Sequence, residues 1–167
     1  KFEHKYNHHN NYITLHLDEK WFTKFYYNDF TDINPSPVEL DKFVNKILDQ
    51  SGNSFDLIIT TGNIKLKIFN YFINYFKNSF RKNKDHNFEK KYKSNSIIII
   101  QNCSFNNIEY IIKNSKFLIC CEGGVSHVSY NFNVKTIALY EKSRLQHMKY
   151  WTEHMNVLIL HERKKMS

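Results

Sequence analysis

The sequence predicts an α/β fold built on a doubly wound parallel sheet of about six strands. Short apolar runs alternate along the chain with longer segments in which apolar residues recur at helical spacing. Strands that alternate with helices pair in parallel through right-handed crossovers, and the helices then cover both faces of the sheet. The chain has 167 residues, 41% of them hydrophobic and 16% aromatic, which suffices for one core. We therefore expect a single Rossmann-like domain.

The elements follow from the apolar runs and the residues that interrupt them. Apolar runs predict six strands, at residues 12–17, 55–61, 96–101, 117–121, 134–140 and 156–161. Ser36 and Pro37 mark the start of the first helix, because proline is favoured in the first helical turn. The predicted helices occupy residues 38–50, 64–77, 105–114, 124–132 and 143–152. In the second of them, apolar residues from Ile64 to Phe76 recur on one face.

The formal net charge of +8 is concentrated in two segments. One begins at Lys77 and ends at Lys93, and the other is the basic tail at residues 162–167. A solvated loop and a frayed end commonly explain such runs. The functional alternative for residues 77–93 is a peripheral contact with an anionic membrane or a phosphorylated acceptor. No zinc finger, RRM or helix-turn-helix pattern accompanies the charge, so we expect no nucleic-acid partner.

Domain limits and location follow from composition. Residues 1–11 are polar and rich in histidine, which predicts a linker or the end of a preceding domain, and residues 12–161 form the predicted domain. Cys103, Cys120 and Cys121 show neither a CxxC pair nor zinc spacing, so we expect structural thiols in a reducing compartment. No run of about 18 apolar residues occurs. We expect a cytoplasmic protein, with the inner face of the membrane as the other candidate location.

The segment that carries chemistry is a strand, a turn and a helix at residues 117–132. Gly123 and Gly124 follow the apolar strand and allow a sharp turn. The next helix then begins with the N–H groups of Gly124, Val125 and Ser126 facing the crevice beyond the strand end. The positive end of the helix dipole favours an anion there. The segment therefore predicts a site for a diphosphate or another phosphorylated ligand.

The same segment resembles the signature of the heptosyltransferase-like glycosyltransferases, family 9, which have the GT-B fold. Glu122 stands at the aspartate of the signature, Gly124 at its glycine and His127 at its histidine. The closing strand of the signature is similar to this sequence at Thr136, Ala138, Leu139 and Tyr140.

The resemblance extends over nearly all of the chain. The family has a lysine followed closely by tryptophan after the first strand of this domain, and Lys20 and Trp21 resemble that pair. Residues 60–62 resemble the second strand and its glycine turn, and residues 104–112 the helix before the signature. Asn133 replaces a glycine of the signature. Asparagine adopts left-handed backbone more readily than most residues, so we expect the turn to be kept.

The resemblance implies a glycosyltransferase that moves a heptose-like or other sugar from a nucleotide diphosphate donor to a glycan or lipopolysaccharide-type acceptor. It also implies inversion at the anomeric carbon, no metal, and no cofactor besides the donor substrate. The chain is then expected to be the carboxyl-terminal, donor-binding half of the enzyme. An amino-terminal Rossmann-like domain would supply the general base that deprotonates the acceptor.

Roles for individual residues follow from the resemblance and from the geometry of open parallel sheets. Glu122 and His127 are the expected catalytic residues, and they would hydrogen-bond to sugar or phosphate oxygens of the donor. Six residues are expected to bind the donor: Lys20, His16, Gly123, Gly124, Val125 and Ser126. Lys20 would be the phosphate-binding lysine. His16 is expected there because ligands of such sheets lie beyond the carboxyl ends of the strands.

Two other functions remain open at this stage. A nucleotide-sugar epimerase of GT-B form also uses acidic and histidine side chains beside a diphosphate, and it would release sugar without an acceptor. A non-catalytic nucleotide-binding module would bind the nucleotide without turnover. The acidic residue that holds the ribose in the family has no counterpart near Lys65, which leaves the donor base open.

Overall fold

The computed structural model describes residues 11–22, 35–52, 54–63, 67–82, 88–141, 144–156 and 158–162. Its strands are β1 (Tyr12–Leu17), β2 (Asp56–Thr61), β3 (Arg81–Lys82), β4 (Phe88–Tyr92), β5 (Asn95–Ile100), β6 (Phe117–Cys121), β7 (Thr136–Tyr140) and β8 (Leu158–Glu162). Its helices are α1 (Pro37–Gln50), α2 (Lys67–Ser79), α3 (Phe105–Lys113), α4 (Gly124–Asn131) and α5 (Leu145–Thr152). A 3-10 turn, Glu19–Trp21, follows β1. Apart from residues 11 and 162, the predicted linker and basic tail lie outside the described residues.

The described strands form one eight-stranded sheet in the order β3-β4-β5-β2-β1-β6-β7-β8. The six strands from β5 to β8 in this order pair in parallel, which confirms the predicted fold class. The chain builds outward from β1 through β2 to β5, and then returns to the other side of β1 with β6. Ligands of open α/β sheets bind beyond the carboxyl ends of the strands at such a reversal.

Each face of the sheet has its own apolar cluster, because successive side chains of a strand point to opposite faces. On one face α1 is buried through Leu40, Val44 and Leu48, in one cluster with Leu15 and Leu57 of the sheet. The other face carries α3 and α4, and its cluster includes Tyr12, Ile58, Ile98, Ile108, Ile111 and Val128. Burial of one such side chain stabilises the fold by roughly 1.5–3 kcal/mol. None of the described helices is both long enough and apolar enough to cross a membrane.

Part of the segment at residues 77–93 is a hairpin, and its prediction as a loop was wrong. β3 and β4 pair antiparallel, and β4 continues the sheet antiparallel to β5. Phe88 and Tyr92 pack against the cluster under α1, and Lys90 Nζ donates to Asp41 Oδ1 of α1 at 3.3 Å. Alternating positions of β4 therefore face the core through rings and a lysine stem. Three charges in five residues conceal that alternation in the sequence.

The turn between α4 and β7 confirms the expectation for Asn133. Asn133 adopts a φ of 56°, in the left-handed region. Its N–H donates to the Tyr130 carbonyl at 2.9 Å, and the N–H of Val134 donates to the Ser129 carbonyl at 2.9 Å. Asparagine thus ends α4 where the family signature has glycine, and β7 begins in register with β6.

A chain of hydroxyl groups fixes α4 against β7. Thr136 Oγ1 donates to Ser129 Oγ at 2.7 Å, and Ser129 Oγ donates to the Ser126 carbonyl at 2.7 Å. Ser126 Oγ in turn donates to the Gly123 carbonyl at 2.6 Å. The three hydroxyl residues are almost completely buried between the helix and the sheet. This series of hydroxyl hydrogen bonds ends at the Gly123 carbonyl, and so it holds the first turn of α4 in place.

We expect Ser129→Ala to lower the free energy of unfolding by about 1 kcal/mol, because a buried hydrogen-bonding hydroxyl is lost. Urea denaturation of Ser129→Ala, Thr136→Val and the double variant measures the coupling, expected to be about 0.5–1 kcal/mol. Ser54→Ala, at an exposed loop position, is the control and should change stability by less than about 0.5 kcal/mol. Strictly additive losses of unfolding free energy in the double variant would contradict the hydrogen bond between Thr136 and Ser129.

Candidate functional site

The loops that follow β1 and β6 meet at the reversal of the strand order. β1 and β6 are parallel neighbours, so both loops leave the sheet at the same edge. Lys20 Nζ donates to the main-chain carbonyl of Glu122 across this boundary. A Cβ atom added to Gly123 would lie 3.0 Å from Lys20 Nζ. The structure thus brings Lys20 and the glycine turn together, as expected, and we call the space between the two loops the crevice.

Burial of Trp21 positions Lys20. Trp21 is fully buried in the cluster under α1, and its ring centroid lies 6.2 Å from that of Phe43. Asp18 caps the short turn, because its Oδ1 accepts the Lys20 N–H at 3.1 Å. Asp18 and Trp21 thus hold the turn from both sides, and Lys20 extends from it toward the loop after β6.

The first turn of α4 presents main-chain N–H groups at the crevice. Gly123 precedes the helix with a φ of 150° and a ψ of −163°, and no described side chain caps the helix. The N–H of Ser126 donates back to the Gly123 carbonyl at 3.0 Å, whereas Gly124 and Val125 lie in the turn whose N–H groups have no intrahelical acceptor. A Cβ added to Gly124 would meet no atom within 4 Å. Open space therefore lies beside Gly124 in the first turn of α4.

The two histidines predicted in the site differ in accessibility. His127 is exposed and lies four residues into α4. His16 is only 4% exposed, and its Nδ1 lies 3.0 Å from Thr60 Oγ1 of β2. Burial lowers the pKa of His16 to about 4, so its ring is neutral at physiological pH. The contact of His16 with the sugar donor stays a prediction, because its ring is buried.

Three carboxyl groups follow three adjacent strands at this edge. Asp18 follows β1, Glu122 follows β6 and Glu141 follows β7. Glu122 and Glu141 are 4% and 6% exposed. Only Glu122 was predicted. The sequence signal for the other two is a single acidic residue at the end of a buried strand, and nothing local shows that Glu141 is buried and Asp18 partly buried in the fold.

The Asp18 carboxyl, beside the crevice, has a raised pKa. Burial raises the pKa of Asp18 to about 7; Lys20 opposes the shift, and Glu19 and Glu122 add to it. Carboxyl groups with pKa values near neutrality cluster at functional sites, where they exchange protons or tune ligand charge. Burial likewise raises the pKa of the nearby Cys120 thiol, so that thiol is protonated. No group of His, Cys, Asp and Glu side chains suited to a metal ion occurs within the described ranges.

A family model described as glycosyltransferase family 9 (heptosyltransferase) matches residues 81–167, just over half of the chain. The chain belongs to this family. The matched part includes β6, the glycine turn and α4, and so it contains the predicted signature from Glu122 to His127. β1 and Lys20 precede the match, so the assignment of Lys20 to the site rests on its contact with the loop after β6. The chain has no match among curated protein sequences.

Solved structures share the fold of this family member at low sequence identity. A UDP-GlcNAc 2-epimerase from Methanocaldococcus jannaschii is 16% identical with a TM-score of 0.57, over 96% of this chain and 38% of the epimerase. The complex of that enzyme with UDP-GlcNAc and UDP gives a TM-score of 0.60 and 15% identity, over 98% of this chain and 38% of the other. The solution structure of ALG13 gives a TM-score of 0.60 and 14% identity, over 93% of this chain and 80% of ALG13. The chain thus spans little more than a third of the epimerase.

The two glycines of the turn should respond differently to substitution. We expect Gly123→Ala to lower the free energy of unfolding by roughly 1–3 kcal/mol, because it forces a side chain into an unfavourable φ and against Lys20 Nζ. Gly124→Ala is the matched control and should be neutral or slightly stabilising, since its Cβ enters open space in a helix. Thermal unfolding measures both. Equal losses at the two positions would contradict the described turn.

The protonation of Asp18 should make stability depend on pH. The pKa of Asp18 is about 7 in the folded chain against an ordinary 3.8, so the folded state binds this proton more tightly. The resulting stabilisation is complete below pH 3.8 and is lost as the pH rises to about 7. Unfolding free energies of the wild type relative to Asp18→Asn should therefore fall over this interval. Glu153→Gln, at an exposed position, should keep the wild-type pH dependence. A pH-independent difference between wild type and Asp18→Asn would contradict the shift.

Proposed function

We propose that the chain is the donor-binding domain of a glycosyltransferase that moves a sugar from a nucleotide diphosphate to an acceptor hydroxyl. Family membership supports sugar transfer. The observation that carries the donor role is the meeting of Lys20 with the glycine turn at the reversal of the sheet. A cation and the start of a helix there border one open space, and a diphosphate is complementary to both.

The proposed reaction assigns leaving-group stabilisation to this domain. As the glycosidic bond breaks, negative charge grows on the phosphate that leaves with the nucleotide. In this proposal Lys20 and the N–H groups of Gly124 and Val125 stabilise that charge, and their place in the fold before the reaction begins lowers the cost of doing so. We propose that the transfer inverts the anomeric carbon and proceeds without a metal, as the family resemblance implies.

The other predicted site residues differ in how exposed they are to a bound donor. His127 is exposed on α4 and is available to sugar or phosphate oxygens. Both the N–H and the hydroxyl of Ser126 donate to the Gly123 carbonyl, so Ser126 holds the turn, and its contact with the donor stays a prediction. Glu122 and His16 are buried, so a contact with the donor requires that the ligand enter between the loops after β1 and β6.

The rest of the reaction is proposed to lie in a second Rossmann-like domain. The chain covers 38% of the epimerase whose fold it shares, and that enzyme was solved with UDP-GlcNAc and UDP. This comparison supports a nucleotide sugar as the donor. We propose that the second domain binds a glycan or lipopolysaccharide-type acceptor and supplies the general base.

Calorimetric titration of the chain with ADP, UDP and GDP tests donor binding. We expect saturable binding of at least one of them, weakened by roughly 1.5–3 kcal/mol in Lys20→Ala through loss of a charge-assisted hydrogen bond. Lys116→Ala, at an exposed position before β6 at the opposite end of the sheet, is the control and should bind like the wild type. If Lys20→Ala bound the nucleoside diphosphates as tightly as the wild type, Lys20 would not contribute to the binding site.

In the full-length enzyme, His127→Ala should lower the transfer rate and leave thermal unfolding unchanged, because an exposed residue adds little to the core. Transfer of labelled sugar, with and without acceptor, measures the effect. Turnover that releases free sugar and requires no acceptor would favour the epimerase instead. Unchanged transfer in His127→Ala would exclude its catalytic role.

A further inference from the structure

Two helices begin side by side at the carboxyl edge of the sheet, and one of them borders the crevice. α3 follows β5 and α4 follows β6, and the two helices pack against each other on the same face. Helices in contact have their axes roughly 8–10 Å apart. The first turn of α3 therefore lies about 10 Å from Gly124 and Val125 at the start of α4. A nucleotide whose phosphates lie at α4 is long enough to reach the start of α3.

Phe105 occupies the first turn of α3, on the side of the helix that faces the sheet. Spacings of three and seven residues place Phe105 in one row with Ile108 and Ile112, both of which are buried. Side chains of a helix tilt toward its amino end, so the Phe105 ring extends past the ends of the strands. It is 60% exposed. The ring thus lies at the carboxyl edge of the sheet and not in the core.

The turn before Phe105 holds the ring in place. The Cys103 N–H donates to the Thr61 carbonyl of β2 at 2.8 Å. Ser104 caps α3, because its Oγ accepts the Asn107 N–H at 3.3 Å. The residues before the ring are therefore tied both to the sheet and to the helix. A ring that is positioned before a ligand arrives loses little conformational freedom when the ligand binds.

The position of Phe105 distinguishes it from the other exposed aromatic side chains. Single exposed apolar residues are common and need have no role. Among the described residues, exposed aromatic rings also occur at Tyr71, Tyr75, Tyr150 and Trp151. The first two lie on α2, which packs on the opposite face of the sheet, and the last two lie in the last turn of α5, at the amino edge. Phe105 alone among these rings lies in the first turn of the helix beside α4.

We propose that the base of the donor nucleotide stacks on the Phe105 ring. This inference rests on the proposed function, because it requires the diphosphate to lie at the first turn of α4. Every nucleotide base has a flat π-face, and stacking on an aromatic side chain tolerates any base. A phenyl ring has no hydrogen-bonding group with which to select sugar hydroxyls or one base edge. Phe105 therefore holds the base end of the donor without choosing the base.

Calorimetric titration with UDP, ADP and inorganic pyrophosphate tests the stacking, because pyrophosphate has the two phosphates and no base. We expect Phe105→Ala to bind UDP and ADP roughly 5- to 150-fold more weakly than the wild type, as for the loss of one base stacked on an aromatic ring. Its affinity for pyrophosphate should be unchanged. Phe105→Tyr keeps the ring and should bind all three ligands like the wild type. Tyr150→Ala removes an exposed ring at the other edge of the sheet, and as the matched control it should also bind like the wild type.

The same titrations separate this inference from the proposed function. Unchanged UDP and ADP affinities in Phe105→Ala, while Lys20→Ala weakens the binding of all three ligands, would overturn the stacking alone. An equal loss of pyrophosphate affinity in Phe105→Ala would also overturn it, since the substitution would then act on the phosphate site and not on the base. If the wild type bound none of the three ligands, the donor role itself would be wrong, and the stacking with it.

Discussion

The parallel pairing of β1 with β6 is the constraint on which the candidate site depends. This pairing returns the chain to the first strand after β5, and it places two loops distant in sequence at one edge of the sheet. Lys20 then lies against Gly123, although about a hundred residues separate them. The burial of Trp21 and the hydroxyl chain that ends at Gly123 fix the two sides independently. Neither loop alone would provide both a cation and a helix N-terminus.

The charges around this junction oppose one another. The dipole of α4 and Lys20 favour an anion, whereas the carboxylates of Asp18 and Glu122 disfavour it. The raised pKa of Asp18 reduces that conflict, because the carboxyl holds its proton up to about pH 7. A bound diphosphate would raise the pKa further, since added negative charge favours the protonated acid. Binding of the proposed diphosphate donor would therefore be accompanied by proton uptake at Asp18.

The sequence predicted the parts of the structure whose signals are local. The six parallel strands are nearly unbroken apolar runs, the glycine turn follows one of them directly, and the left-handed Asn133 was expected from its side chain. β4 was missed because three consecutive charged residues separate its two apolar positions, Phe88 and Tyr92. Asp18 and Glu141 were missed for a different reason: the partial burial of Asp18 and the full burial of Glu141 depend on neighbouring strands and helices, which no local pattern specifies.

A crystal structure of the chain with bound UDP tests the central claim most directly. The account predicts that the diphosphate lies over Gly124, with Lys20 Nζ within about 3 Å of a phosphate oxygen, as a charge-assisted hydrogen bond requires. The main-chain N–H groups at the start of α4 should face the same phosphate. A diphosphate bound at another edge of the sheet, or one that leaves Lys20 on the Glu122 carbonyl without contacting it, would contradict the account.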